Sequence, residues 1–339
     1  MKIILAIFSK NDRVLGVSEV LKNMGNQVVL VYTDDYTCNC SYLEKKIDEL
    51  GISYLRNKYV RNWVNNVYNM ITESKADLLL FVNLPVGLIF PEELEKLHNR
   101  IKIKCWFVDT VCDHPECIPY YKHIDGIYVF EESDVLFLNN IEIDNTQYVP
   151  VGHNMNYHKI HIQSDKSDKS DIVFIGSPFK NRLQILEAVA IQAVKKNWKL
   201  KIMGPFYSAK YFWKKFIFEH KYPNITRFLE NGSVPSGEVN KLYNNSRICL
   251  NIHDAKHKSL NPRSFDILAA GAFEIVDMRS GYLGDIQPGK ALVEFKGIDD
   301  LLKKIEYYLD NDEERETIAK YGYEHNIYSM EYSLRQVLD

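Results

Sequence analysis

Four short stretches of the chain gather the residue types that handle phosphates, sugars and protons. In SLNPRSFDILAAGAFEIVD, Ser259–Asp277, Arg263 and Asp266 stand three positions apart and so share a side of any helix that forms there. Asn261 suits an N-cap, Pro262 the first helical position and Gly271 the position just past the end, which predicts a helix of about ten residues. Phe265, Leu268 and Ala269 make its packing stripe. Arg263 and Asp266 then have two readings. One is an ion pair on a solvated helix face. The other is a site at the carboxyl ends of strands, with the helix N-terminus facing a phosphate and Asp266 accepting from sugar hydroxyls.

The stretch IGSPFKNR joins a strand to a helix, with Gly176 allowing close backbone approach and Lys180 and Arg182 supplying positive charge. A diphosphate would fit that turn, and so would an ordinary solvated helix start. RICLNIHDAKHK carries Asn251, His253, Asp254 and His257. A His pair four apart binds metal only from one helical face, and this segment reads as a strand end and loop. Hydrogen bonding to a sugar or phosphate is the expectation, and no metal site is assigned. FVDTVCDHPE places Asp109, Asp113, His114 and Glu116 after a buried strand, where doubly wound folds bind ligands. A carboxylate or imidazole there could take a hydroxyl proton, or Asp109 could cap a turn and His114 lie on the surface. Asp109 is the first candidate. Cys105, Cys112 and Cys117 nearby lack zinc spacing. FSKNDRVLGVSEVL passes from strand to helix with Gly16 near the turn but no GxGxxG, so it carries no dinucleotide fingerprint. Gly16 is expected to line a cleft facing the ligand.

These residues need a scaffold that delivers strand ends together. Apolar runs KIILAIF, QVVLVYT, DLLLFVN, IKCWFVD and DGIYVFE alternate with helical periods, and the pattern restarts with DIVFIG, LKIMG, NITRFL, RICLNIH, AFEIVD and ALVEF. Such alternation predicts an α/β fold of two doubly wound, Rossmann-like parallel sheets. The polar HKIHIQSDKSDKSD between them reads as a linker, and the remainder as a helical tail broken near Asn311 and Gly322. The domains are therefore expected at 1–155, 171–322 and a crossing helix at 323–339, with 156–170 as linker. Lys plus Arg 42 against Asp plus Glu 45 leaves a charge of −3, which offers nucleic acid no global attraction. The six cysteines show no CxxC spacing, and the first residues have too short an apolar run for a signal peptide. A reduced cytoplasmic protein without a transmembrane segment is the expectation, with peripheral membrane association left open.

The whole resembles CgeB-like glycosyltransferases, the spore maturation protein group. The resemblance rests on SLNPRSFDILAAGAFEIVD, SGYLGDIQPGKALVEF and the DDLLKKIEYYLDNDEERETIAKYGYE tail, with FVDTVCDHPE, DGIYVFEESDV, TQYVPVGHN and IVFIGSPFKNRLQILE adding most of the rest. It implies a GT-B fold, two Rossmann-like domains facing a cleft with the tail crossing back. It also implies transfer of a sugar from a nucleotide-sugar donor, UDP-linked, to a glycan or protein hydroxyl. The donor is a co-substrate, and no cofactor or metal is implied. By the same resemblance Asp266 would bind the donor ribose, Lys180 and Arg182 the diphosphate, and the loop at Val234 and Pro235 the nucleobase through its backbone. Related retaining enzymes often carry a glutamate eight positions before the acidic residue, and Lys258 stands there in this chain. That departure leaves retention and inversion both open. It also motivates two alternatives, a non-catalytic carbohydrate-binding or assembly protein and a nucleotide-sugar epimerase.

Overall fold

A computed structural model describes residues 1–7, 12–32, 54–84, 89–160, 169–208 and 210–339, and the side chains of all of these except 12–14 and 54–61. The chain divides into two compact units, Met1–Val151 with Met330–Asp339, and Gly152–Ser329.

The first unit runs β1 (Lys2–Ile7), α1 (Asp12–Asn23), β2 (Gln27–Tyr32), α2 (Tyr54–Ser74), β3 (Leu78–Val82), α3 (Pro91–His98) and β4 (Lys102–Phe107). It continues through α4 (Ile118–Tyr121), β5 (Gly126–Val129), α5 (Glu132–Asn140) and β6 (Thr146–Tyr148). The strands lie parallel in the order β2-β1-β3-β4-β5-β6. KIILAI and LLLFV are apolar at both parities because the sheet is covered on both faces. Ile4, Ala6, Leu79 and Phe81 meet Trp63, Val67 and Leu97 on one side. Ile3, Leu5, Ile7, Leu78 and Leu80 meet Val17 and Leu21 on the other.

The second unit runs β7 (Ser170–Ile175), α6 (Lys180–Lys196), β8 (Leu200–Gly204), α7 (Phe212–Lys221), α8 (Pro223–Thr226), β9 (Leu229–Asn231) and α9 (Ser236–Asn244). It closes with β10 (Ser246–Asn251), α10 (Pro262–Ala269), β11 (Glu274–Asp277), β12 (Val293–Phe295), α11 (Ile298–Asp310) and α12 (Asp312–His325). Its parallel sheet has the order β12-β11-β10-β7-β8-β9. The chain starts in the middle at β7, builds outward to β9, then returns to β10 on the other side of β7. That reversal makes β7 and β10 the switch point, outside whose carboxyl ends a crevice must open.

Both sheets have the predicted α/β, doubly wound form, and two local expectations need correction. NITRFL is not a strand: Asn224–Thr226 lie in α8 and the strand begins at Leu229, since Pro223 starts a helical turn. Nor does Gly322 break the tail, which instead breaks at Asn311 and after His325. Gly322 sits inside α12 because a Cβ there would lie 2.6 Å from the Ala291 carbonyl oxygen and 2.7 Å from Leu268 Cδ2. A final helix, α13 (Met330–Leu338), packs Met330, Leu334 and Val337 into the first unit. There the buried Lys104 Nζ donates to the carbonyls of Val337 and Leu338 at 2.7 and 3.1 Å, neutralising the helix C-terminus.

Helix propensity by itself would make Gly322→Ala stabilising by about 1 kcal/mol. The close contacts reverse that sign. We expect a loss of about 2 kcal/mol in urea unfolding, since one contact is backbone and cannot rotate away. An unchanged or raised midpoint would show that α12 shifts off its seat without cost.

Candidate functional site

The candidate site is built at the β7–β10 switch point of the second domain. Gly176 follows β7 directly, and the Arg263 guanidinium lies over it: a Cβ at Gly176 would stand 2.9 Å from Nη2 and 3.4 Å from Cζ. Gly204 ends β8 with φ +149°, and a Cβ there would fall 2.1 Å from the Gly176 carbonyl oxygen. Only glycines let these two strand ends and the arginine approach so closely.

α10 brings Arg263 there. Its N-cap is Asn261, whose Oδ1 accepts from the backbone N–H of Arg263 at 3.0 Å and of Ser264 at 3.3 Å. Its end is a Schellman motif, with Ala272 N–H donating to Ile267 at 3.1 Å, Gly271 N–H to Leu268 at 2.9 Å, and Gly271 at φ +66°. Arg263 is half-buried and donates from Nη1 to Asn251 Oδ1 at 3.1 Å. It forms no ion pair with Asp266. Asp266 is only 3% exposed, and its Oδ1 accepts from the Asn154 N–H at 3.2 Å. The solvated ion-pair reading therefore fails, because Asp266 is buried and the two side chains go to different partners.

Beneath Arg263 lies a polar core that sequence reasoning missed. Asn251 is fully buried, and its Nδ2 lies 2.8 Å from Glu274 Oε1, 3.0 Å from Ser264 Oγ and 3.0 Å from Asn261 Oδ1. Ser264 Oγ donates to the same Glu274 oxygen at 2.7 Å. Glu274 is fully buried, and burial raises its carboxyl to about 7 against the opposing bonds from Asn251 and Ser264. The available signal was a glutamate inside the apolar run AFEIVD. Together Asn251, Asn261 and Glu274 hold Arg263 in place.

His253 has a different role from the expected sugar or phosphate contact. It is fully buried, its Nδ1 lies 2.8 Å from Asp277 Oδ1, and its Nε2 accepts from the Asn261 N–H at 2.9 Å. Both ring nitrogens are thus committed, in the neutral tautomer protonated at Nδ1, and burial lowers the imidazole pKa further. Asp277 also takes the His253 N–H at 2.9 Å and pairs with Arg279. Burial would raise that carboxyl, but His253 and Arg279 outweigh it and hold it below its ordinary value. His253 consequently positions the α10 N-cap.

The β7–α6 turn completes the basic side. Arg182 is buried, with Nε donating to the Ile252 carbonyl at 2.6 Å, Nη1 to Ser177 at 3.1 Å, and its guanidinium 4.4 Å from the Phe179 ring centroid. Burial first, and then the charge of Arg263, pull it below the usual arginine range. Lys180 is exposed in the first turn of α6, and Asn181 Nδ2 donates to the His253 carbonyl at 2.8 Å. Val234 is half-buried in the loop before α9, packed with Val239 and Tyr243. Lys258 is exposed in the loop before α10.

In the first domain, the loop after β4 exposes Asp109, Asp113 and His114. Asp109 Oδ2 accepts from Asn83 Nδ2 at 2.8 Å, while Asn83 Oδ1 accepts from Val108 N–H at 2.9 Å. The fully buried Asp134 anchors the same loop through Thr110 Oγ1 at 2.7 Å and Val111 N–H at 3.0 Å. His114 Nδ1 lies 3.0 Å from Glu116 Oε1, and hydrogen bonding lowers the Glu116 pKa. Cys105 and Cys117 are buried free thiols, with burial raising Cys117 to about 11. Among the described residues, no group of three or more His, Cys, Asp and Glu is placed to hold a metal ion. Gly16 is buried within α1 rather than at its turn, and residues 8–11 of that turn lie outside the described ones.

Residues 182–339 match the family described as "Glycosyl transferase-like". The chain is 26% identical over 239 residues to the spore protein CgeB of Bacillus subtilis, an alignment spanning 67% of this chain and 70% of that protein. Among solved structures, a Rickettsia africae glycosyltransferase superposes with a TM-score of 0.69 at 14% identity, covering 99% of this chain and 96% of its own. Anabaena HepE in complex with UDP-glucose superposes with a TM-score of 0.66 at 12% identity, covering 100% and 98%. Sequence and fold agree: the chain is similar to CgeB, its residues 182–339 match the glycosyl transferase-like family, and its architecture is the two-domain GT-B fold.

Proposed function

We propose that this protein transfers a glycosyl group from a UDP-linked sugar to a hydroxyl of a glycan or protein, without a metal ion. One observation carries the reading. Arg263 is half-buried at the switch point, makes no salt bridge among the described residues, with Glu274 buried beneath it as the nearby negative charge, and stands near enough to Arg182 that the two guanidiniums oppose each other. Two guanidiniums in one partly desolvated place are costly until an anion joins them, and a nucleotide diphosphate is the anion that doubly wound folds take there. The UDP-glucose complex of HepE, a protein of the same fold, supports the choice of donor.

In this reading Arg263, Lys180 and the α10 N-terminus stabilise the charge that develops on the departing diphosphate. Arg182 shapes the turn on which they act. Asp266 serves the donor ribose through its buried carboxylate, which also takes the Asn154 N–H. The backbone at Val234 and Pro235 flanks the base, while Asn251 and His253 hold the anion-binding side chains from below. The β4 loop of the first domain supplies the groups for the acceptor proton, with Asp109 ahead of Asp113 and His114 because Asn83 fixes one of its oxygens.

A panel of UDP-sugars, assayed with and without glycan or peptide acceptors, tests the reaction. Acceptor-dependent UDP release is the expected result, whereas isomerisation without acceptor would indicate an epimerase and binding without turnover a carbohydrate-binding protein. Calorimetry with UDP and 2'-deoxy-UDP tests Asp266. The wild type should discriminate against the deoxy ligand by about tenfold, as befits a hydrogen bond to a charged group, and Asp266→Asn should discriminate less. Undiminished discrimination in a folded variant would remove Asp266 from the ribose site.

A further inference from the structure

α7 reads FWKKFIFEHK, and only Phe218 turns decisively inward. Its ring sits edge-on to Phe206 with centroids 5.8 Å apart, and beside Tyr222 and Tyr207 at 5.2 and 5.6 Å. On the outer face Phe212 is 83% exposed, Phe216 70%, Ile217 59% and Trp213 47%. At helical spacing these four occupy one arc, opposite Phe218. Contiguous exposed aromatics of this kind mark an interaction surface. Lys210, Lys214, Lys215 and Lys221 surround them, with Glu219 as the sole acidic residue of the segment, in a chain of net charge −3.

We propose that α7 is an interfacial helix that seats the second domain on an anionic lipid bilayer. The charge distribution selects this occupant. A second copy of the chain meeting the same face would set lysines against lysines, because a two-fold interface places each patch on itself. An anionic membrane instead offers apolar depth to the phenylalanines, a headgroup layer suited to Trp213, and negative charge to the flanking lysines, whose stems can lie along the boundary. Among the described residues no helix is long and apolar enough to cross a membrane, so the contact is one that lies on the surface. The inference does not depend on the proposed donor site.

The test is flotation of the full-length protein with vesicles of phosphatidylcholine alone or mixed with phosphatidylglycerol. Binding to the mixed vesicles, weakened by salt, is expected. Phe212→Ser with Phe216→Ser should reduce it by about tenfold or more, as loss of two inserted apolar groups requires. Lys214→Glu with Lys215→Glu should reduce it similarly, since each basic residue near an anionic surface contributes roughly fivefold. Both double variants should retain the wild-type melting temperature and UDP affinity. Brominated lipid should quench tryptophan emission in the wild type and less in Trp213→Phe. Absence of vesicle binding, or binding indifferent to both double variants, overturns the proposal. So does self-association in solution that the phenylalanine variants abolish, which would make the face a contact between copies.

Discussion

Arg263→Ala should weaken UDP binding by about tenfold to a hundredfold while leaving uridine binding within about twofold. The expectation follows from where the side chain ends. Among the described residues its side chain hydrogen-bonds only to Asn251 Oδ1, at 3.1 Å, and none of its other donors reaches a carboxylate. A bound diphosphate would take them in charge-assisted hydrogen bonds, each worth about 1.5–3 kcal/mol, whereas uridine offers no such acceptor. The variant should remain folded, because the α10 cap uses the backbone N–H of residue 263 and not its side chain. Arg263→Lys should recover only part of the affinity, since an ammonium cannot hold Asn251 and grip phosphate in the same planar geometry. Arg182 is a poorer test of phosphate binding, as its Nε and Nη1 tie down the carbonyls of Ile252 and Ser177. Equal losses for UDP and uridine in Arg263→Ala would assign the arginine to structure alone.

The contribution of Glu274 to the stability of the second domain should fall as pH rises from about 4.5 to about 7, and Glu274→Gln should remove that contribution. Glu274 is fully buried, and its carboxyl is raised from 4.5 to about 7 by burial. Between those values the folded state keeps a proton that the unfolded state has released, so stability is complete below the lower value and lost through the upper one. The shift corresponds to about 3 kcal/mol, complete above about pH 8. Glutamine keeps the shape and the oxygen that accepts from Asn251 and Ser264, and it cannot ionise. The difference between variant and wild type should therefore move in the variant's favour from pH 5 to pH 8, whatever constant offset the amide introduces. Urea titrations at several pH values read this directly. Parallel slopes for the two proteins would mean that Glu274 is ionised throughout and that another arrangement balances its charge.

Several features of this molecule were legible because they are set by neighbours in the chain. Asn261, Pro262 and Gly271 announce the start and end of α10, since a cap is satisfied by groups within one turn. Runs such as LLLFV and SDIVFI mark buried parallel strands by composition alone. Their alternation with helices dictates the doubly wound order, and that order puts Gly176 and Asn251 at neighbouring strand ends, beside Arg263 in the first turn of α10. What the sequence did not disclose is which partner each polar group takes. Arg263 and Asp266 are spaced for an ion pair, yet one goes to Asn251 and the other to Asn154, a residue 112 positions away. His253 resembles a ligand contact until Asp277 and Asn261 occupy both its nitrogens. Gly322 resembles a helix stop until Ala291 and Leu268 are found where its Cβ would be. Local hydrogen bonds and hydrophobic period act over one turn or one strand, so they are written in adjacent residues. The pairing of buried charges depends on groups that only the closed sheet and its packed helices bring within hydrogen-bonding distance.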